Sequence, residues 1–173
     1  NVLSKILQLN IENSEIIVVN DGSKDNSKEL IETQFPEVQL YSHIKNQGYG
    51  KTLLDGVLRA KGEIIVMLDS DGQHDPRDIP TLLKPILENK ADMAIGSRYA
   101  GRYNYQLPLI NRGGEAFLEV MLFLIYGKRI RNNQGGFRAF RKDFNIIYKD
   151  IKFHGFAFAT ETIMKALNSN ARI

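Results

Sequence analysis

The sequence predicts one α/β domain with a mostly parallel central sheet and helices on both of its faces. Short apolar runs typical of buried strands lie at 15–20, 63–68 and 92–97. A further strand is predicted at 38–43, and helical patterns separate the strands at 27–35, 50–60 and 79–89. Because strands and helices alternate along the chain, parallel strands joined by crossover helices are the economical arrangement.

Composition supports one domain and excludes several classes of function. The chain has 173 residues, of which 43% are hydrophobic, enough for one core but not comfortably for two. Its formal net charge of +3 is too small for a nucleic-acid-binding surface. With no cysteine, the chain can form neither disulfides nor a thiolate metal site.

The longest apolar run, from Ala116 to Tyr126, is shorter than the roughly 20 residues that a membrane-spanning helix needs. It is apolar on nearly every helical face. Such a run usually indicates a buried core helix, and the alternative is a helix that lies against a membrane surface.

Acidic residues follow two of the predicted strands directly. Asp21 directly follows the run at 15–20, and Asp69 directly follows the run at 63–68. In open α/β sheets, ligands bind at the carboxyl ends of the strands. Asp69 and Asp71 are two apart, so in extended backbone they share a side, and Gln73 repeats the spacing.

Two carboxylates on one side repel unless a cation lies between them, and oxygen ligands select Mg²⁺ or Mn²⁺, often completed by substrate phosphates. The pattern therefore indicates metal-assisted departure of a diphosphate. The alternative is a solvated surface turn. His74, beside the acids, is either a metal ligand or a hydrogen-bonded loop residue, and His43 and His154 show no partner pattern.

Five segments together resemble the family-two glycosyltransferases with a GT-A fold, and within them the branch of dolichol-phosphate mannose synthase and bacterial polyprenyl-phosphate glycosyltransferases. They occur in the family order and read "EIIVVNDGSKDNS", "NQGYGKTLLDGVLRAKGEIIVMLDSDGQHDP", "IGSRYAGR", "NNQGGFRAFRKD" and "GFAFATETIMKA". The resemblance implies a GT-A, or nucleotide-diphospho-sugar transferase, fold and a single catalytic domain over 1–173.

The resemblance also implies roles for individual residues. Asp21 would contact the nucleotide base, and the turn with Asn46, Gly48 and Gly50 would wall the nucleotide pocket. The metal ligands would be Asp69, Asp71 and Gln73. Asp69 would also touch the nucleotide. The acceptor phosphate would be held by Arg98 and Arg112, because a guanidinium meets phosphate oxygens two at a time.

Three departures from the family pattern matter. The opening strand of the family is absent, which leads us to expect a fragment that lacks part of the nucleotide site. Asn132 or Asn133 stands where many relatives carry aspartate, which argues against a general base there. Thr162 follows Glu161 where members that glycosylate sugar hydroxyls often carry Glu-Asp, with the Asp as base.

The last departure favours a phosphate acceptor, because an ionised phosphate can attack without a base. The expected reaction is inverting transfer of a hexose from a UDP- or GDP-sugar to polyprenyl or dolichyl phosphate. Mg²⁺ or Mn²⁺ would be the cofactor, Asp71 and Glu161 the catalytic residues, and the cytoplasmic face of the membrane the location. Three alternatives remain: transfer to a glycan hydroxyl with Glu161 as base, a sugar-phosphate nucleotidyltransferase, and a regulatory binder of nucleotide sugars.

Overall fold

The computed structural model describes residues 2–97, 109–148, 150–153, 155 and 157–173, with the backbone alone for 109–112, 145 and 146. The helices are α1 Val2–Gln8, α2 Ser27–Gln34, α3 Tyr49–Arg59, α4 Ile79–Leu87, α5 Leu109–Tyr126 and α6 Ala157–Asn168. The strands are β1 Ile17–Asn20, β2 Gln39–Ser42, β3 Ile64–Met67, β4 Met93–Ile95 and β5 Arg138–Arg141. Two 3₁₀ helices lie at Pro76–Asp78 and Lys142–Tyr148. All four predicted strands and all three predicted crossover helices are therefore present.

The described strands form two sheets. In the first, β1 pairs in parallel with β2. In the second, β5 lies between β3 and β4 and runs antiparallel to both. The strands expected to be parallel, β3 and β4, thus share one direction but are joined through β5, a strand that the sequence analysis did not predict.

Side chains of β5 alternate between two apolar layers, as a strand with both faces covered requires. Phe140 packs in a cluster that takes Val57 from α3 and Phe158 from α6. Its neighbour Ala139 packs on the opposite side, in a cluster that includes Ile86 from α4. Helices therefore cover both faces of this sheet, as predicted.

Helix α5 is not the buried core helix that its composition usually indicates. Leu122 is buried in a small cluster with residues of α6, but Phe117, Phe123 and Leu124 are 65%, 53% and 72% exposed. Within the described residues, only one stripe of the helix finds partners. Within that part of the chain, no helix combines the length and hydropathy needed to cross a membrane.

Candidate active site

Asp21 lies just beyond β1 and binds the loop that follows β2. Its carboxylate accepts hydrogen bonds from the backbone amides of Gln47 at 2.8 Å and Gly48 at 2.9 Å. Burial opposes ionisation, but these amides and His43 outweigh it and hold the pKa of Asp21 below its usual value. An ionised side chain therefore occupies the amino-terminal end of α3, where the helix dipole favours negative charge.

Gly22 lets the loops after β1 and β2 meet. Its φ of +69° lies in the left-handed region, and a Cβ there would stand 2.7 Å from the amide nitrogen of Asn46. Gly48, with φ of +95°, is the residue before α3, and Gly50 is buried in the first turn of that helix. The predicted nucleotide residues are thus gathered at one edge of the β1–β2 sheet, with Asn46 exposed.

His43 joins this edge to α3. Its Nδ1 lies 2.7 Å from Asp21 Oδ1 and its Nε2 lies 2.9 Å from Asp55 Oδ2. Asp55 in turn accepts a hydrogen bond from Lys51 Nζ at 2.7 Å. Sequence reasoning missed this group because its members lie on a strand end and a helix, and no spacing rule connects them.

Asp69 lies two residues beyond the end of β3, against the backbone of Gly136. A Cβ at Gly136 would stand well inside van der Waals contact of Asp69 Oδ2 and 2.6 Å from the hydroxyl oxygen of Tyr49. The Tyr49 hydroxyl lies 3.5 Å from the same carboxylate oxygen. Only glycine allows the backbone to approach this closely, so the Gly-rich segment before β5 forms a wall of the predicted metal site.

Asp71 lies in the turn after Asp69 and is exposed. Its Oδ1 accepts a hydrogen bond from the backbone amide of Gln73 at 2.9 Å, which fixes the turn and leaves the carboxylate open to solvent. The side chains of Asp69, Asp71 and Gln73 offer oxygen atoms as metal ligands. Oxygen ligands suit a hard divalent cation. Among the described residues, no three carboxylate, histidine or cysteine side chains are placed to hold a metal ion by themselves, so such an ion would need further oxygens from a substrate.

His74 is buried against Phe137, with the two ring centroids 5.3 Å apart. This packing fits a loop residue more than a metal ligand, and the hydrogen bond expected of a loop histidine stays a prediction. Its neighbour Asp75 is also buried and binds Arg77, which lowers the pKa of that carboxyl to about 2.

Arg138, in β5, is a fully buried guanidinium that sequence reasoning did not single out. It donates to the carbonyl oxygens of Asn133 at 2.7 Å, Gly135 at 2.8 Å and Ala159 at 3.0 Å. A further bond reaches Thr162 Oγ1 at 2.8 Å. Burial lowers the pKa of Arg138 below its usual value, against smaller opposing effects of Tyr148, Tyr49 and Asp69. Arg138 thus fastens the Gly-rich segment to α6.

Asn132 and Asn133 are both buried and bind backbone carbonyls. The side-chain amide of Asn132 donates to Gly96 O, and that of Asn133 donates to Glu115 O and Ile130 O, each at 3.3 Å. An amide can donate to a carbonyl, whereas an ionised aspartate cannot. The asparagines therefore have structural partners in this chain.

Glu161, predicted to be catalytic, binds the backbone of the segment before α6. Its carboxylate accepts from the amide of Lys152 at 3.1 Å and of Phe153 at 3.0 Å, and Lys165 Nζ lies 3.4 Å away. Burial opposes ionisation, but these donors outweigh it and lower the pKa of Glu161. These contacts give Glu161 structural hydrogen-bond partners at the start of α6, and its catalytic role stays a prediction.

The two predicted acceptor arginines belong to the segment between β4 and α5 and to α5 itself. Arg98 lies outside the described residues, and for Arg112 only the helical backbone in α5 is described. Arg112 precedes Ala116 by one helical turn, so the two positions share a face of α5. His154 also lies outside the described residues.

Comparison with known proteins shows what this chain is similar to. A family model described as "Glycosyl transferase family 2" matches residues 1–147. An uncharacterized protein of Methanocaldococcus jannaschii is 35% identical over 156 residues, which cover 87% of this chain and 63% of that protein. A UDP-N-acetylglucosamine–dolichyl-phosphate N-acetylglucosaminyltransferase of Methanococcus voltae is 27% identical, covering 100% of this chain and 76% of that enzyme.

A dolichyl-phosphate beta-glucosyltransferase of Trichomonas vaginalis is 36% identical over 141 residues, which cover 75% of this chain and 41% of that enzyme. Among solved structures, glucosyl-3-phosphoglycerate synthase from Mycobacterium tuberculosis with Mn²⁺, UDP-glucose and phosphoglyceric acid superposes with a TM-score of 0.69 at 19% identity. That match covers 97% of this chain and 59% of the other. The mixed α/β fold is therefore of the GT-A type, and the chain spans less than two thirds of the length of three of these four proteins.

Proposed function

Because the chain belongs to glycosyl transferase family 2, we propose that it transfers a hexose from a UDP- or GDP-sugar to polyprenyl or dolichyl phosphate, as one catalytic domain. The anomeric configuration inverts in this reaction. The observation that carries the proposal is the ionisable pair Asp69 and Asp71, with Asp69 enclosed by Gly136 and Tyr49 at the carboxyl end of β3.

The donor would bind across the edge formed by the loops after β1, β2 and β3. The turn with Asn46, Gly48 and Gly50, held by Asp21, would wall the nucleotide. Asp69, Asp71 and Gln73 are the residues that would hold Mg²⁺ or Mn²⁺, which when bound neutralises charge on the departing diphosphate. The Mn²⁺ and UDP-glucose in the mycobacterial structure support a nucleotide sugar and a divalent cation as the ligands of this fold.

The proposed acceptor is a phosphate, because Thr162 stands where enzymes that use hydroxyl acceptors often carry the aspartate that acts as base. Thr162 is buried and bonded to Arg138 and Ala159 O, and the neighbouring Glu161 carboxylate is bonded to backbone amides. A phosphate monoester, with its second pKa near 6, has an ionised oxygen ready to attack at neutral pH. The names of the M. voltae and T. vaginalis relatives share dolichyl phosphate but differ in the sugar, which supports the acceptor and leaves the sugar open.

The exposure of helix α5 supports the proposal that the protein contacts the cytoplasmic face of a membrane. Its exposed apolar side chains, among them Phe117, Phe123 and Leu124, suit burial in the headgroup region. By the family resemblance, Arg98 and Arg112 would hold the phosphate of the lipid.

The test is donor binding by calorimetry, with UDP-glucose, UDP-N-acetylglucosamine and GDP-mannose titrated with and without Mn²⁺. Wild type should bind one of them only with the metal, and Asp71→Asn should lose that binding while Asp143→Asn, an exposed acid elsewhere, keeps it. Transfer to polyprenyl phosphate, but not to the matching polyprenol, should follow with inverted configuration. A folded wild type that binds none of the donors, or a product with retained configuration, would contradict the proposal.

A further inference from the structure

We infer that His43 and Asp55 are positioning residues for the nucleotide-sugar site, acting through Asp21 on the loop 44–48. The inference rests on the proposed function, because it concerns the same donor site. Neither side chain belongs to the residues expected to touch the donor, and each reaches that site only through other groups.

The His43 ring bridges two carboxylates. Its nitrogens lie 2.7 Å from Asp21 and 2.9 Å from Asp55, and its side chain is only 11% exposed. A neutral imidazole donates from one nitrogen alone, so only the doubly protonated ring donates to both partners. Through these two contacts the ring joins Asp21, on the loop after β1, to Asp55, inside α3.

Asp55 is the fixed end of this bridge. Besides His43, its carboxylate receives Lys51 Nζ at 2.7 Å. Arg59 donates to the backbone oxygen of Asp55 at 3.0 Å and lies 3.7 Å from its carboxylate. Both cations belong to α3, one helical turn to either side of Asp55, so the carboxylate is held against the helix and gives His43 a rigid partner.

Asp21 is the end that acts on the site. Each of its oxygens accepts a backbone amide from the loop, Gln47 at one oxygen and Gly48 at the other. The next residue, Tyr49, begins α3 and brings its hydroxyl 3.5 Å from Asp69 Oδ2. A shift of Asp21 would therefore reach both the nucleotide wall and the carboxylate expected to bind the metal.

Two substitutions of His43 separate its two hydrogen bonds. In His43→Asn the side-chain nitrogen falls near the position of Nδ1, so it can still donate to Asp21. In His43→Gln the nitrogen falls near Nε2, so it can donate to Asp55 but no longer to Asp21. If the bond to Asp21 positions the loop, the two variants should differ although both remove the imidazole.

The measurement is the donor Kd by calorimetry, with Mn²⁺ present, together with amide hydrogen exchange. We expect His43→Gln to raise the donor Kd about tenfold and His43→Asn to stay within about threefold of wild type, given the usual strength of a hydrogen bond to a charged group. Exchange at Gln47 and Gly48 should accelerate in His43→Gln alone. In turnover, the KM for the donor should rise more than kcat falls.

Asp92→Asn is the matched control. Asp92 pairs with Arg172 at 2.7 Å, just before β4, so this variant also weakens a hydrogen-bonded ion pair but lies outside the donor site. It should lower stability and leave the donor Kd unchanged. Equal donor affinity in wild type and both His43 variants would overturn this inference alone. A wild type without affinity for any nucleotide sugar would overturn the proposed function with it.

Discussion

Replacing Gly136 by alanine is the sharpest perturbation of the predicted metal site. The added methyl group would overlap Asp69 Oδ2 and lie 2.6 Å from the hydroxyl oxygen of Tyr49. The backbone next to this methyl group cannot easily move away, because β5 is held in the sheet by pairing with β3 and β4. The carboxylate and the hydroxyl, not the backbone, must therefore move.

The structure sets the size of that movement. To reach an ordinary carbon–oxygen contact of about 3.3 Å, the Tyr49 oxygen must shift by about 0.7 Å, and Asp69 Oδ2 must shift further. Catalytic groups need to be held within about 0.5 Å of their productive position. We therefore expect Gly136→Ala to lower kcat/KM about 100-fold, with a loss of about 1–3 kcal/mol in the free energy of unfolding from overpacking.

The assay combines sugar transfer with urea denaturation and Mn²⁺-dependent donor binding. Gly62→Ala, at the other end of β3, is the control, because the nearest atom to its Cβ would be Ile64 O at an ordinary 3.5 Å. This control should keep wild-type activity. If Gly136→Ala folds and retains wild-type kcat/KM and metal dependence, the close approach of Gly136 to Asp69 has no part in the site.

Three further predictions concern stability. Arg138→Met leaves the acceptors of a buried guanidinium without this donor, so urea denaturation should show a loss of about 3–5 kcal/mol, since each unsatisfied buried acceptor costs about 1–3 kcal/mol; a loss under about 1 kcal/mol would contradict the network. Glu161→Gln halves the acceptor capacity toward the Lys152 and Phe153 amides and should cost about 1–2 kcal/mol in thermal unfolding. The hydrogen bonds of Arg172 lower the pKa of Asp92 to about 2 from an ordinary 3.8. The contribution of ionised Asp92 to the free energy of unfolding is therefore complete above about pH 4 and is lost as the pH falls toward 2. Asp92→Asn should flatten stability against pH in that window, and an unchanged slope would assign the acid sensitivity to other groups.

Local patterns predicted the strands and crossover helices well. Runs such as 15–20 and 63–68 carry enough adjacent apolar residues to indicate buried strands, and the structure confirms both as β1 and β3. The position of Asp21 and Asp69 at strand ends followed from the same runs. Family membership was also predictable, because five motifs occur in order.

Features set by contacts between distant segments could not be predicted. β5 was missed because its sequence, Arg138–Arg141, places arginines at both ends of a short apolar pair, and Arg138 is buried only because carbonyls from two other segments surround it. The exposure of α5 was missed because composition shows how apolar a helix is, not how much partner surface it meets. The partners of His43 are 22 and 12 residues away along the chain, beyond any local pattern.

The central place of β5 also bears on how the chain matures during synthesis. Ile64 in β3 pairs with Arg141, and Ile95 in β4 pairs with Arg138. While the ribosome is still making the segment between β4 and β5, both earlier strands lack the neighbour they will share, and the backbone edges that it will cover are unpaired. Pairing across so long a stretch of sequence is slow. We therefore expect a dependence on chaperones that ends only when the chain beyond residue 141 has emerged.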